Sequence, residues 1–235
     1  MAPVSPAATP RLHYIFDPFC GWCWAVAPLI AATRQQLPQL PLVLHGGGML
    51  TGAHRRPITP EWRAYVLPHD ARIAELTGQP FGEAYREGLL RDASIVLDSA
   101  PPTAALLAAE ALAGQGGAFL ARAQQAHFVE GRSISDPAVL DELAAGLGLD
   151  APAFAATRAR LEGTLAAHFA SSRQWLQRLD GQGFPTLGLE RADGRLIRLE
   201  PGRFLGQPAA WLAHLNTHLN AQLDQQQTRR PTALP

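Results

Sequence analysis

Cys20 and Cys23 are the only cysteines in the 235-residue chain, and they stand two residues apart in Phe16-Asp17-Pro18-Phe19-Cys20-Gly21-Trp22-Cys23-Trp24. A short apolar run, Leu12 to Phe16, precedes them and reads as a strand. A helical pattern follows and lasts to about Gln36. Two thiols so spaced at a strand-to-helix junction are the parts of a dithiol–disulfide couple. The first would lie where unpaired N–H groups and the positive end of the helix dipole favour a thiolate. The pattern Cys23, Val26, Ala27, Ile30 and Leu37 turns Cys23 inward and leaves Cys20 at the helix mouth. Pro28, inside the pattern, is expected to kink the helix.

Composition narrows the chemistry. The twenty basic residues are all arginine, and they balance twenty acidic ones. A chain without lysine has no lysine Schiff base and no P-loop lysine. The charge balance gives no sign of a nucleic-acid partner. Residues 1–10 lack the apolar stretch of a secretory signal. The longest apolar runs, 25–32 and 104–113, are too short to span a bilayer. These features suggest a soluble, cytoplasmic protein with no membrane partner, and in that compartment a lone cysteine pair points to catalysis rather than a structural disulfide.

The remaining chain falls into three parts. Leu40 to Leu44 reads as a second strand, followed by His45 and the Gly46-Gly47-Gly48 loop. That loop lacks the pattern of a phosphate-binding turn. From Pro57 to about Gly181 the character is helical, with no strand expected. The helices are expected near Thr59–Leu76, Phe81–Leu90, Thr103–Leu112, Ala118–Phe128, Pro137–Leu147 and Pro152–Leu179. Strand character returns at Phe184–Leu189 and Arg195–Glu200 around an Ala192-Asp193-Gly194 turn. A last helix from about Pro208 carries Trp211, Leu212, Leu215, Leu219 and Leu223 on one face. The expected organisation is an N-terminal half at 11–56, a helical insertion at 57–181, a C-terminal half at 182–224, and flexible tails at 1–10 and 225–235.

The order β-α-β, helical block, β-β-α is a thioredoxin fold of the α/β class with a large all-helical insertion between its halves. Over roughly residues 11 to 224 the chain resembles the DsbA-like branch of the thioredoxin superfamily, in particular cytoplasmic members described as protein-disulfide isomerases or FrnE-like proteins. The residues that carry the resemblance are Asp17 to Trp24, Gly183-Phe184-Pro185-Thr186, Phe128 to Arg132 and Ser135-Asp136-Pro137. The resemblance implies that Pro185 is cis and faces the cysteines. It implies that Cys20 attacks a substrate disulfide, that Cys23 resolves the mixed disulfide, and that Phe19, Trp22, Phe184, Pro185 and Thr186 contact substrate. The substrate would be a disulfide-containing protein or a small thiol. No cofactor is implied beyond the redox-active disulfide, with glutathione a possible co-substrate. Periplasmic relatives usually carry a histidine between the cysteines that stabilises the thiolate. Trp22 offers no such charge-assisted bond, so the expected potential is roughly −180 to −270 mV, nearer thioredoxin or disulfide isomerase than DsbA.

Two other readings compete. Kappa-class glutathione transferases and hydroxychromene-carboxylate isomerases share the architecture but usually have serine at the first cysteine position. A zinc site could draw on Cys20, Cys23, His214 and His218, although both histidines fall at or outside the last helix's apolar stripe and read as solvated. His45 could approach the cysteines or belong to the core or rim. Asp17 reads as a turn residue, with influence on thiol proton transfer as the alternative. Trp24 reads as a core residue and Glu110 as an exposed one. His54, His69, His127 and His168 have no partner at readable spacing.

Overall fold

The computed structural model describes residues 9–227; the expected tails fall largely outside that range, as does the side chain of Leu223. Strands β1 (Arg11–Phe16) and β2 (Leu42–Gly46) flank helix α1 (Gly21–Gln36). Strands β5 (Thr186–Glu190) and β6 (Leu196–Leu199) precede helix α8 (Pro208–Gln227). These four strands form one sheet in the order β2-β1-β5-β6. β1 runs parallel to β2 and antiparallel to β5, and β5 and β6 form an antiparallel hairpin. This is the thioredoxin arrangement expected from the order of elements.

Alternation along β1 sorts its side chains between the two faces of the sheet. Tyr14 turns to α1 and donates its hydroxyl hydrogen to the Cys23 carbonyl at 3.3 Å. His13 turns the other way and stacks on Trp175 of helix α7 (Leu165–Arg178), with ring centroids 3.9 Å apart. Helix α8 joins the α1 face, where the buried Trp211 donates from Nε1 to Thr33 Oγ1 at 2.8 Å. The sheet is thus covered on both faces, and α7, although it lies within residues 57–181, supplies one of the covers.

The other inserted helices are α2 (Pro60–Thr77), α3 (Ala100–Ala113), α4 (Gly116–Phe128), α5 (Pro137–Gly146) and α6 (Ala151–Glu162). The starts of α2, α5 and α6 follow ordinary capping chemistry. Thr59 accepts from Trp62 N–H, Asp136 from Ala138 N–H and Asp150 from Ala153 N–H. α1 continues unbroken past Pro28.

Several expected boundaries move. The segment 38–41 is a turn leading into β2, so that strand begins at Leu42 and reaches Gly46, where it pairs with Phe16. Pro185 follows a cis peptide bond, and pairing with β1 starts only at Thr186. The helix expected at 152–179 is two helices, α6 and α7, separated at Gly163-Thr164. Residues 81–90 form a π-helical turn, Ala84–Gly88, followed by a 3₁₀ turn, Leu89–Arg91, in place of a regular helix. The segment expected to lack strands contains a two-residue pairing of β3 (Arg56–Pro57) with β4 (Val96–Leu97). So short a bridge leaves no periodicity to read.

Candidate active site

The β1–α1 loop is organised by one carboxylate. Asp17 is fully buried, and its Oδ1 accepts the Phe19 N–H at 3.0 Å, which closes the Asp-Pro-Phe turn. The same oxygen accepts the Ser99 hydroxyl at 2.9 Å, and Oδ2 accepts the Met49 N–H at 2.7 Å. The turn role read from the sequence is therefore present. Asp17 also ties the cysteine loop to the loop after β2 and to the start of α3. Burial raises its pKa to about 6 in spite of these three hydrogen bonds, which pull the other way.

Cys20 is the N-cap of α1, and the N–H groups of Cys23 and Trp24 bond to its carbonyl. It keeps 8% of its surface, whereas Cys23 keeps none. Both are free thiols in this structure. The Cys20 thiol points at the Phe184 carbonyl, 3.6 Å away, directly before the cis Phe184-Pro185 bond. The Cys23 thiol is held well above its ordinary pKa, first by burial and then by the hydrogen bond and charge of Cys20; the charge of Asp17 adds in the same direction. One sulfur thus reaches the surface and its partner lies behind it.

Phe184 is positioned by a missing side chain. Strand β2 ends at Gly46, and a Cβ on the next residue, Gly47, would stand 2.0 Å from the Phe184 ring. Only glycine lets the ring lie there, so the triple-glycine loop serves packing rather than phosphate binding. Thr186 opens β5 and donates its hydroxyl hydrogen to the Gly183 carbonyl at 2.8 Å.

On the other side of Cys20 opens a cavity of about 540 Å³, walled by Phe19 and Trp22 from the cysteine loop and by Trp62, Tyr65, Asp70 and Tyr85 from the insertion. Phe19 and Trp22, expected at the site, line it. Phe184, which meets Cys20 through its carbonyl, is not among the cavity's lining residues, and neither are Pro185 and Thr186 that follow it. Trp24 is a core residue, as read from the sequence, and its Nε1 donates to the Pro80 carbonyl at 3.1 Å.

The insertion brings in residues that the sequence reading did not assign. His127 is buried against Phe19, with ring centroids 4.9 Å apart, and burial pushes its pKa down to about 3. Asp70 accepts the Tyr85 hydroxyl at 3.1 Å, and burial raises its carboxyl to about 7 against the lowering effect of that bond. His54 and His69 are exposed on the cavity's rim.

His45 does not approach the cysteines. It lies on the α7 side of the sheet, where its Nε2 is 2.9 Å from His13 Nδ1, and His13 Nε2 is 3.1 Å from Glu190 Oε2. Burial pushes His45 down to about 3. His168 accepts the Gly46 N–H at 3.0 Å. Glu110 is exposed, as read, and receives the Gly116 N–H at 2.9 Å. His214, expected to be solvated, is half-buried against Phe204 at 4.9 Å. Among the described residues no three His, Cys, Asp or Glu side chains converge in a way that could hold a metal.

No protein-family model and no curated protein matches the chain. Solved structures do. The cytosolic disulfide reductase DsbM from Pseudomonas aeruginosa is 55% identical, with a TM-score of 0.83 over 90% of this chain and 99% of that one. The chain belongs to the DsbA-like family of thioredoxin-fold proteins. A second structure of DsbM, with GSH, matches at 53% identity and a TM-score of 0.81 over 88% of this chain and 98% of that one. A Nitrosomonas europaea protein described as a "putative protein disulfide isomerase" matches at 26% identity and 0.73, over 90% and 99% of the two chains. This DsbA-like protein is a thiol–disulfide oxidoreductase that reduces or isomerises disulfides through a CxxC pair. The matches do not favour the transferase or zinc readings.

Proposed function

We propose that Cys20 is the attacking thiol and Cys23 the resolving one, and that the protein works in the cytoplasm as a disulfide reductase recycled by glutathione. The observation that carries this reading is the asymmetry of the pair: Cys20 opens on a cavity and Cys23 is sealed behind it. The Cys20 thiolate attacks one sulfur of the substrate disulfide, and the other sulfur leaves as a thiolate that takes up a proton. Cys23 then loses its proton, attacks Cys20 Sγ and expels the second substrate thiol, leaving the Cys20–Cys23 disulfide. Two glutathione molecules, oxidised to one glutathione disulfide, return the pair to dithiol.

Glutathione and the cytoplasm are supported by the 55% identical DsbM, described as cytosolic and also solved with GSH. No helix among the described residues is long and apolar enough to cross a membrane. Phe19 and Trp22 provide apolar contact for the substrate from the cavity side. Phe184, Pro185 and Thr186 offer main-chain groups from the other.

Cys23→Ser is expected to accumulate a mixed disulfide at Cys20 with a disulfide substrate, visible by mass spectrometry, whereas Cys20→Ser forms none. Equal reductase activity of Cys20→Ser and the unaltered protein would refute the assignment. A glutathione redox titration should place the pair at roughly −180 to −270 mV; a value near −120 mV would contradict the role given to Trp22.

A further inference from the structure

The exchange chemistry above has no use for a carboxyl group, yet Asp70 of α2 lies in the wall of the cavity that Cys20 opens on. Its Oδ2 is held by the Tyr85 hydroxyl, while its Oδ1 makes no hydrogen bond among the described residues. Oδ1 comes within 3.3 Å of the place where a Cβ on Gly21 would stand. The free oxygen therefore sits beside the residue that follows Cys20, at the mouth of α1. Ile73 Cδ1 stands 3.1 Å from the same place, so the space that a side chain at position 21 would fill is left to this methyl group and the carboxylate oxygen.

We propose that Asp70 is a catalytic base that accepts the proton of the small thiol reducing the Cys20–Cys23 disulfide. The proposal rests on the reading of Cys20 as the sulfur that is attacked. The entering thiol gives its proton to Asp70 Oδ1, and its sulfur bonds to Cys20 Sγ. The Cys20–Cys23 bond breaks, and Cys23 leaves with the electron pair as a thiolate that takes a proton from water. Asp70 then gives its proton to water, and a second thiol, its own proton passing to Asp70 or water, attacks the sulfur of the first, which releases the small-molecule disulfide and the Cys20 thiolate. In the reverse direction protonated Asp70 returns its proton to the departing small thiolate.

Burial, opposed by the Tyr85 hydrogen bond, puts the Asp70 carboxyl at about 7, where it exchanges protons readily at neutral pH. Other titratable groups face the same space. Tyr85, from the π-helical turn, is held far above neutrality, and His127, from the end of α4, far below it at about 3. Cys20 faces it from the N-cap of α1, and in the oxidised protein its sulfur is bonded to that of Cys23. His54, Glu61, His69 and Arg56 stand on the exposed side of the cavity, with Arg56 over the Trp62 ring at 5.2 Å. Since histidine titrates in the range of interest, His54 and His69 require a control.

The test is stopped-flow reduction of the oxidised protein by glutathione from about pH 5.5 to 9, followed through the fluorescence of Trp22 and Trp24. The unaltered protein should show a rate constant that rises and then levels off above about pH 7, once Asp70 is ionised. Asp70→Asn should be slower by roughly 10²-fold at pH 7 and climb without a plateau towards pH 9, as the thiolate of glutathione itself takes over. Tyr85→Phe removes the bond that favours the ionised carboxylate, so its plateau should begin at higher pH. The double variant His54→Asn, His69→Asn should keep the inflection. An Asp70→Asn profile equal to that of the unaltered protein overturns the proposal, as does loss of the inflection in the histidine variant. If Asp70→Asn does not fold, the Tyr85→Phe inflection decides, and an unmoved one overturns it. Failure of the Cys20 assignment would appear separately, as absence of the mixed disulfide in Cys23→Ser.

Discussion

The thioredoxin halves and the inserted helices meet at Cys20, and they build their sides of the site in different ways. The thioredoxin side is made by short-range geometry: a buried aspartate closes a three-residue turn, a helix starts at the first cysteine, and a glycine admits the Phe184 ring opposite. The inserted side is made by long-range assembly, in which Trp62 and Asp70 from α2, Tyr85 from a π-helical turn and His127 from α4 converge on one cavity. Thiol exchange therefore depends on the first region, and access and proton handling on the second.

The sharpest way to separate the two is to hollow each in turn. Trp211→Ala, in the packing of α8 on α1, and Phe128→Ala, in the cavity wall, should each cost about 3–5 kcal/mol in denaturant unfolding. The Trp211 variant should retain the KM of whatever protein remains folded. The Phe128 variant should raise KM for a small disulfide; an unchanged KM would remove the cavity from substrate binding.

Acid should strike both regions together. His45 on the sheet and His127 in the insertion both have pKa values near 3, below the 6.5 of an unfolded histidine, so their neutral forms are the folded ones. Their stabilisation is complete above about pH 6.5 and is lost as pH falls towards 3. For the fully buried His127 this amounts to about 2–3 kcal/mol by pH 4.5. Asp17 and Asp70, raised to about 6 and about 7, act in the opposite sense, and their contribution is lost as pH rises through those values. Because burial also lowers His13 and His168, the histidines outnumber the two carboxyls; thermal stability should therefore peak near neutrality, and a monotonic rise towards pH 4.5 would contradict these burials.

The seam between the regions should yield a smaller effect. The Ser99 hydroxyl donates to Asp17 and accepts the Leu50 N–H at 3.1 Å. Ser99→Ala leaves two buried partners short of a bond and should cost about 1–3 kcal/mol. It should also move Asp17 further upward, measurable as a shift in the pH dependence of unfolding. Smallest of all, Arg122→Ala breaks an exposed pair with Glu130 and should cost less than about 1 kcal/mol in the same assay.

What the sequence disclosed follows the same division. Cys20 and Cys23 carry their meaning in local context, so the pair and the order of elements around it could be read from spacing, whereas the cis bond at Pro185 followed only from the resemblance that Gly183 to Thr186 carry. Asp70, Tyr85 and His127 could not, because nothing in α2, the π-helical turn or α4 marks these residues until the insertion packs. His45 was ambiguous for a related reason. Strand alternation sends it and His13 to the same side of the sheet, but only the position of α7 shows that this side is closed. The β3–β4 pairing and the break at Gly163-Thr164 are too small to disturb a helical pattern.

The recessed position of Cys20 has a consequence for its clients. With 8% of its surface left and the rings of Phe19 and Trp22 in the cavity wall beside it, the sulfur is expected to react faster with a flexible chain end or a tripeptide than with a disulfide clasped inside a rigid domain, a difference that a competition assay between the two would measure. On that expectation the inserted helices would serve as a sieve, sorting clients by how far their sulfur protrudes before any electron is exchanged.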